Sequence, residues 1–364
     1  MDAMQHDHIS FSTHGRAGLV LLDRPRALNA LSADMADTLR QQLDIWATDS
    51  GISHVVMAGS EPRAFCAGGD VRDLHSIAAR GEFDLMKTHF RAEYGAHLAV
   101  CEFPKPIISL ADGITMGGGA GLMQCSTHAI VSDKTRFAMP EAAIGLFPDA
   151  GASVFLGRCP RPVALLLGLT GHIIGAADCL MLGLASVMVP ADSMAALRQA
   201  LLDCDSADID SVIDGFRADP GVAPLQAQRA TIDHIFGDHV LTDHVFTGQG
   251  LAAMRERAGD LARLKGDSVA EAVHAALSAK CPMSMHVFAR LLEMGPQIAD
   301  IPAALALDYQ LAIRMTARPD FQEGVRAVLI DKSNDAAWVP ARLEDVTSSM
   351  VDAVFDNAGL PSLR

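Results

Sequence analysis

The sequence predicts an α/β domain followed by a mainly helical C-terminal region. Over the first 190 residues, short apolar runs alternate with helical patterns, which is typical of an α/β domain rather than of a helical bundle or a β-sandwich. Residues 203–224 are acidic and contain proline and glycine, as a connection does. Beyond them the apolar residues recur at helical spacing. We therefore divide the chain into a core of residues 1–215 and a helical region of residues 216–364.

The individual elements follow from local patterns. Five apolar runs are predicted strands: residues 18–22, 54–58, 106–110, 128–131 and 185–189. Ser32 can cap a helix in which apolar residues recur at spacings of three and four, namely Met35, Leu39, Leu43 and Trp46. In the C-terminal region, the periodicity predicts helices over residues 269–279, 283–294 and 302–316.

The charge of the chain limits its partners. The 44 acidic residues outnumber the 29 basic ones, which makes the formal net charge −15 over 364 residues. Such a chain lacks the clustered lysine and arginine that nucleic acids or anionic membranes require, so we expect neither as a partner. The longest uncharged stretch, residues 113–132, is rich in glycine and is predicted to be a buried turn and helix rather than a membrane span.

Cysteine usage and the N-terminus predict a cytoplasmic location. The seven cysteines are scattered without a C-x-x-C pair, which indicates neither a disulfide framework nor a zinc site and fits a reducing compartment. The first residues include acids where an export signal has a basic segment and an apolar run. We expect no export signal and no bound metal.

Two glycine-rich turns are the first candidates for chemistry. One ends in Gly68, Gly69 and Asp70, and the other contains residues 117–119; each lies between a predicted strand and a helical pattern. Each turn alone is explained by the backbone freedom of glycine. Together they could present two N–H groups at helix starts, where a developing anion is stabilised. Such a pair is an oxyanion hole, and each donor contributes about 2.7 to 4 kcal/mol in the transition state.

Three acids are the second candidates, and each has a structural alternative. Glu141 follows Pro140 and could be only a first-turn helix acid, and Asp149 could be only a turn residue. Their apolar surroundings keep a catalytic role open, because a buried carboxylate has a raised pKa and can act as a general base. Glu93 lies in an ordinary helical pattern, where a paired surface acid is the simpler interpretation.

These segments, in this order, resemble the enoyl-CoA hydratase/isomerase, or crotonase, superfamily. The match begins at residues 22–31, continues through both glycine turns and ends near Pro190. The resemblance implies a crotonase-like spiral of ββα units in which the N–H groups of Gly69 and Gly118 bind a thioester oxyanion. It also implies that CoA lies along Arg26, Ala27 and Leu28. Because the net charge of −15 cannot attract the anionic CoA, we expect the basic groups beside these segments, Arg24, Arg26 and Arg63, to bind it.

Within the superfamily, the chain is most similar to the 3-hydroxyisobutyryl-CoA hydrolase group. This resemblance covers almost the whole length, including residues 137–149, residues 320–332 and Trp338. It implies that Glu93, Gly118, Glu141 and Asp149 contact the substrate. Hydratases of the superfamily carry a second glutamate at the position of Gly121 and usually glycine at the position of Asp149. The acids present therefore favour thioester hydrolysis over hydration.

The expected activity is hydrolysis of a short branched 3-hydroxyacyl-CoA, and the resemblance implies 3-hydroxyisobutyryl-CoA of valine catabolism. Glu141 would act as general base or nucleophile, and Asp149 would bind the 3-hydroxyl group. No cofactor is expected, since CoA is part of the substrate. The superfamily leaves two options for assembly: a trimer-type homo-oligomer, or a single chain in which the helical C-terminal region covers the same surface. The enzymatic alternative is an enoyl-CoA hydratase or Δ3,Δ2-enoyl-CoA isomerase, because an isomerase can move a proton with one glutamate. A non-catalytic acyl-CoA-binding protein is the alternative from another class.

Overall fold

The computed structural model describes residues 4–6, 8–237, 248–356 and 362–363. Its contacts divide the chain into two units that each contain several segments. The first unit comprises residues 1–70, 88–138 and 173–223, and the second comprises residues 71–87, 139–172 and 224–364. The predicted boundary at residue 215 cuts the chain once, whereas these units are discontinuous, and that boundary stays a prediction.

The first unit is built on a seven-stranded sheet in the order β1-β2-β3-β4-β6-β8-β10. Its strands are β1 (Met4–His6), β2 (Ile9–His14), β3 (Ala17–Leu22), β4 (His54–Gly59), β6 (Ile107–Ala111), β8 (His128–Val131) and β10 (Val187–Met188). The pairs from β3 to β10 are parallel, and β1 and β2 are antiparallel additions. The central strands β4 and β6 are buried almost throughout, as expected of a parallel sheet covered on both faces.

A second, three-stranded parallel sheet carries both glycine turns. It consists of β5 (Ala64–Cys66), β7 (Ile114–Met116) and β9 (Arg136–Ala138). The helices of this unit are α1 (Ala33–Thr48), most of α3 (Phe83–Cys101), α4 (Gly118–Cys125), α7 (Ala176–Met181), α8 (Met194–Asp203) and α9 (Ile209–Phe216). Packing of α8 and α9 on the larger sheet, through Leu197 and Ile213 against Val56 and Ile108, forms a buried core.

The second unit is mainly helical. Its helices are α2 (Val71–Ala79), α5 (Ala152–Phe155), α6 (Arg161–Thr170), α10 (Pro224–Phe236), α11 (Gly248–Lys265), α12 (Ser268–Ala279), α13 (Pro282–Met294), α14 (Ile301–Thr316), α15 (Pro319–Val325) and α16 (Ser348–Phe355). A 3-10 turn over Glu141–Ile144 precedes α5. Among the described residues, no helix is both long and apolar enough to cross a membrane.

The structure confirms the five predicted strands and the predicted helices, including the cap of α1 by Ser32, which accepts the N–H of Met35 at 3.2 Å. It adds the strands β1, β2, β5, β7 and β9. Most of these are only three residues long, which is too short for a period to be visible. The predicted connection over residues 203–224 is partly helical, because Ile209 and Ile213 on α9 are buried against the sheet.

The prediction of no disulfide is wrong for one pair of cysteines. Cys101 and Cys125 form a disulfide with their Cα atoms 4.4 Å apart. Each is the last residue of its helix, α3 or α4, and the two are 24 residues apart in sequence. The pairing therefore depends on where the two helices end in space, which spacing along the chain does not reveal. The other five cysteines are thiols.

Candidate active site

The two glycine turns predicted to bind an oxyanion lie against each other. Leu31 forms a parallel bridge with Gly69, in which its N–H donates to the Gly68 carbonyl and its carbonyl accepts the Asp70 N–H, both at 2.8 Å. Neither of these two hydrogen bonds uses the Gly69 N–H. Gly118 begins α4, where N–H groups have no acceptor within the helix. A β-carbon on Gly118 would lie 3.5 Å from the Gly69 nitrogen, so the structure brings the two amides together.

The glycines on either side of Gly118 allow the second turn to lie this close to the first. Gly117 caps α4 with a φ of 53°, a backbone conformation that residues with a β-carbon rarely adopt. A β-carbon on Gly119 would collide with the carbonyl of Cys66 at the end of β5. The second turn therefore requires glycine for steric reasons as well as for its conformation.

Glu93 belongs to this group of residues and is not a surface acid. It is 4% exposed on α3, which corrects the interpretation of a paired surface residue. Its two carboxylate oxygens occupy the positions that β-carbons on Gly69 and Gly118 would need. The Nε2 atom of His89, one helical turn earlier, lies 4.0 Å from the Glu93 carboxylate. The structure thus places Glu93 directly beside both predicted oxyanion donors.

His97 links α3 to the second glycine turn and was not identified from the sequence. Its Nδ1 lies 2.7 Å from the Glu93 carbonyl, and its Nε2 lies 2.7 Å from the Gly118 carbonyl. Burial lowers the pKa of His97, while the carbonyls of Glu93 and Gly118 oppose that shift by accepting from the ring. A histidine on the buried face of a helix, one turn after Glu93, is the sequence signal that could have identified it.

Glu141 begins a tight turn that the C-terminal part of the second unit holds in place. The residue is 6% exposed, and its carbonyl accepts the N–H groups of Gly145 and Leu146. Gly145 has a φ of 73°, and a β-carbon there would collide with the backbone of Asp320 on α15. The Ala142 carbonyl accepts the Cys281 N–H, from the residue before α13, at 2.9 Å.

The C-terminal segment singled out by the resemblance packs on the same turn. A β-carbon on Gly324 would lie 2.7 Å from the Ile144 Cα and 2.8 Å from the Trp338 ring. The Trp338 indole N–H donates to the Ala279 carbonyl at 2.8 Å. Asp320 accepts the Val339 N–H at 2.7 Å. Residues 320–338 therefore support the backbone that carries Glu141.

Asp149 lies in a turn with an unusual backbone and a second buried acid beside it. Asp149 is 5% exposed, and its carbonyl accepts the Ala152 N–H at 2.9 Å. The next two residues, Ala150 and Gly151, have φ values of 51° and 84°. For alanine this conformation costs roughly 1–2 kcal/mol. The Gly151 N–H donates to the carboxyl of Asp308 on α14 at 2.9 Å.

The sequence did not identify Asp308, although a signal for it exists. It stands among Leu305, Ala312 and Met315 on the buried stripe of α14, where an acid is out of place. Glu141, Asp149 and Asp308 all belong to the second unit, whereas Glu93, Gly69 and Gly118 belong to the first.

The residues predicted to contact CoA lie in two stretches of the first unit: Arg24, Arg26, Ala27, Leu28 and Arg63. Arg24 forms an ion pair of 2.6 Å with Asp70 and donates to the Ala30 carbonyl. Arg26 and Arg63 are exposed. The charge of Arg24 is therefore offset locally, while the other two arginines can meet an anion from solvent. Across the described ranges, no group of three or more acids, histidines or cysteines could hold a metal ion.

Comparison with known proteins identifies the family. The sequence model of the enoyl-CoA hydratase/isomerase family matches residues 17–355. The chain belongs to the enoyl-CoA hydratase/isomerase family. A relative from Xenopus tropicalis named "3-hydroxyisobutyryl-CoA hydrolase, mitochondrial" is 35% identical, and the match covers 96% of this chain and 89% of the relative. "3-Hydroxyisobutyryl-CoA hydrolase 1" of Arabidopsis thaliana is 33% identical, with 93% and 88% covered.

Solved structures of the family confirm the predicted crotonase-like fold. A carnitinyl-CoA dehydratase from Mycobacterium thermoresistibile superposes with a TM-score of 0.87 at 28% identity, covering 99% of both chains. An enoyl-CoA hydratase from Rhodobacter sphaeroides 2.4.1 superposes with a TM-score of 0.85 at 32% identity, covering 98% of this chain and 99% of the other. The family resemblance drawn from the glycine turns and residues 22–31 is thereby confirmed.

Proposed function

We propose that this chain hydrolyses the thioester of 3-hydroxyisobutyryl-CoA to 3-hydroxyisobutyrate and CoA. The observation that carries the proposal is the set of buried acids. Asp149 is present and buried where hydratases of the superfamily usually carry glycine, and Gly121 on α4 stands where they carry a second glutamate. Relatives that bear the hydrolase name align with nearly the whole chain, which supports the same substrate.

The N–H groups of Gly69 and Gly118 bind the thioester oxygen as it becomes an oxyanion. Two preorganised donors of this kind are worth several kcal/mol, because they meet charge that is greatest in the transition state. The Gly69 nitrogen lies 3.5 Å from the position that a β-carbon on Gly118 would occupy, which supports this role. Glu93, beside both glycines, forms part of the polar wall of the substrate site.

Glu141 promotes attack on the thioester carbonyl carbon by one of two routes. As a general base it takes a proton from water, whose oxygen adds to the carbonyl carbon while the C–S bond breaks. As a nucleophile it forms a mixed anhydride with release of the CoA thiolate, and water then hydrolyses the anhydride. In both routes the thiolate takes up a proton, and the products are a carboxylate and free CoA. Asp149 accepts a hydrogen bond from the 3-hydroxyl group.

CoA binding depends on local basic groups, because the net charge of −15 repels an anion at long range. The exposed side chains of Arg26 and Arg63 are suited to the CoA phosphates. Arg24, paired with Asp70, holds the same stretch of backbone in place. The cytoplasmic location, the trimer-type assembly and the absence of a cofactor stay predictions.

The decisive experiment measures free-thiol release from 3-hydroxyisobutyryl-CoA beside hydration of crotonyl-CoA. We expect thiol release to dominate and Glu141→Gln to lower kcat at least about 100-fold, as loss of a general base does. Glu271→Gln, at an exposed acid of α12, is the control and should keep full activity. Dominant hydration, or full thiol release by Glu141→Gln, would overturn the assignment. Binding of acyl-CoA without turnover would favour the non-catalytic alternative.

The role of Asp149 is tested with a matched substrate. Isobutyryl-CoA lacks only the 3-hydroxyl group, so the wild-type enzyme should use it about 10- to 100-fold less well, as expected for one hydrogen bond to a charged group. Asp149→Asn should discriminate much less between the two substrates. Equal discrimination by wild type and variant would place the 3-hydroxyl elsewhere.

Hydration remains the second candidate because of one observation. The solved structure from Rhodobacter sphaeroides 2.4.1, at 32% identity, is described as an enoyl-CoA hydratase. The absence of a second glutamate at Gly121 argues against efficient hydration, since adding water across a double bond uses one acid to hold the water and another to deliver a proton to carbon. The crotonyl-CoA arm of the same assay decides between the two.

A further inference from the structure

Asp308 is a buried acid that the proposed mechanism does not use. It lies in the middle of α14 with a side chain that is 0% exposed. Its Oδ2 accepts the Gly151 N–H at 2.9 Å, and its Oδ1 has no hydrogen-bond partner among the described residues. An ionised carboxylate with one oxygen unsatisfied in the interior is strongly unfavourable. A neutral carboxylic acid fits this arrangement, with the carbonyl at Oδ2 and the proton on Oδ1.

The charges around Asp308 favour the same state. Burial, and next the charge of Asp149, raise the pKa of Asp308 well above its usual range. Among the charged groups on the elements packed against α14, Asp320 on α15 is paired with Arg318. The remaining acids of those elements are also paired with arginine: Glu323 with Arg326 and Asp352 with Arg290. Asp149 is therefore the neighbouring charge that acts on Asp308.

We propose that Asp308 is a positioning residue that carries the proton of this buried pair of acids, so that Asp149 alone is ionised toward the substrate. Asp308 also holds the turn after Asp149 through the Gly151 N–H. That turn needs a fixed partner, because Ala150 and Gly151 both adopt left-handed conformations. A β-carbon on Gly151 would in addition lie 2.7 Å from the Ile301 side chain of the same helix. Helix α14 thereby sets both the place and the charge of Asp149.

The kinetic consequence of a protonated Asp308 rests on the proposed function, whereas its protonation does not. A group whose folded pKa is raised stabilises the fold fully below its unfolded pKa, and that contribution is lost as pH rises toward the folded pKa. Asparagine mimics the protonated acid and does not titrate. The unfolding equilibrium constant of wild type should therefore rise relative to that of Asp308→Asn, by up to about tenfold per pH unit between the unfolded and the folded pKa of Asp308.

The stability arm compares wild type, Asp308→Asn and the exposed control Asp44→Asn by urea unfolding between pH 4 and pH 8. We expect the wild-type-to-variant ratio to rise with pH for Asp308→Asn and to stay flat for Asp44→Asn. An infrared band of a protonated carboxyl, shifted by D2O and absent from Asp308→Asn, is the second expected result. A flat ratio together with no such band would overturn the proposal, whether or not the enzyme hydrolyses thioesters.

The kinetic arm uses thiol release from 3-hydroxyisobutyryl-CoA. Asp308→Asn should keep kcat within about threefold of wild type with the same pH profile, because its amide oxygen still accepts the Gly151 N–H. Asp308→Ala should lose at least about tenfold in kcat, since the Gly151 N–H then has no acceptor on α14 and the turn after Asp149 is no longer held in place. Equal losses in both variants would overturn the neutral-acid role. No thiol release by wild type would instead refute the proposed function and leave the stability arm valid.

Discussion

The carboxylate of Glu93 occupies the space in which a β-carbon on Gly118 would lie. This relationship joins the middle of α3 to the first residue of α4, and His97 reinforces it by reaching the Gly118 carbonyl. Two features therefore suit Gly118 to its predicted role: its N–H lies at the start of a helix, and its lack of a side chain leaves room for the carboxylate of Glu93.

Gly118→Ala should lower kcat for thiol release by about 100-fold or more, because the added carbon displaces Glu93 or moves the amide donor. The measurement is steady-state kinetics on 3-hydroxyisobutyryl-CoA. Combining Gly118→Ala with Glu93→Ala should recover part of the loss if the collision causes it. Gly215→Ala on α9, where a β-carbon meets nothing within 4 Å, is the control. Full activity of Gly118→Ala would contradict the proposed hole.

Gly145→Ala should destabilise the fold by at least about 2 kcal/mol and lower activity. The added β-carbon would collide with the Asp320 backbone, and alanine is strained at the positive φ of this position. Urea unfolding provides the measurement. Gly266→Ala is the matched control, since Gly266 has a φ of 62° with open space around it. It should lose only about 1 kcal/mol. Equal losses at both positions would show that packing of α15 on the Glu141 turn is unimportant.

Charge reversal at Arg26 or Arg63 should raise KM with little change in kcat, because the proposed function assigns these exposed groups to the CoA phosphates and not to the reacting carbonyl. The increase should shrink at high salt, as screening predicts. Arg263→Glu on α11, an exposed arginine paired with Asp260, is the control for net charge alone. If this control raises KM as much, the placement of CoA along residues 24–28 and Arg63 is wrong.

The disulfide between Cys101 and Cys125 predicts how many thiols react before and after reduction. The denatured, unreduced protein should show five reactive thiols, and full reduction should raise the number to seven. Closing a loop across 24 residues should stabilise the fold by about 3 kcal/mol. Cys101→Ser should lose that increment in the absence of reductant and much less in its presence. Seven thiols before reduction would contradict the pairing.

Glu323 should make the stability of the fold depend on pH under acidic conditions. Its hydrogen bonds from Arg326 and then from the Ala337 N–H lower the pKa of Glu323 to about 2. A lowered pKa stabilises the fold above the unfolded value of about 4.3, and this contribution is lost as pH falls through about 2. Wild type should therefore be more stable than Glu323→Gln at pH 7 and equal to it at pH 2. The same difference at both values would rule out this linkage.

Much of the site could be predicted because its chemistry is local. The glycines of both turns and the acids Glu93, Glu141 and Asp149 stand in short segments that match a family pattern residue by residue. The surroundings of Glu93 could not be predicted, because its helix has an ordinary periodicity and burial depends on what packs against it. Asp308 was missed because it is 159 residues from Asp149 and its role comes from that neighbour.

Apolar runs, helical spacing, glycine turns and a helix cap by themselves determined the strands, the helical C-terminal region and, through the motifs they flank, the family. These signals can be recognised within windows of about twenty residues, because periodicity, turns and caps are properties of neighbouring residues. Only the tertiary structure decided that Glu93 lies beside Gly69 and Gly118, that Cys101 meets Cys125 and that residues 320–338 support Glu141. Burial and charge proximity arise between segments distant in sequence, so only the packed chain reveals them.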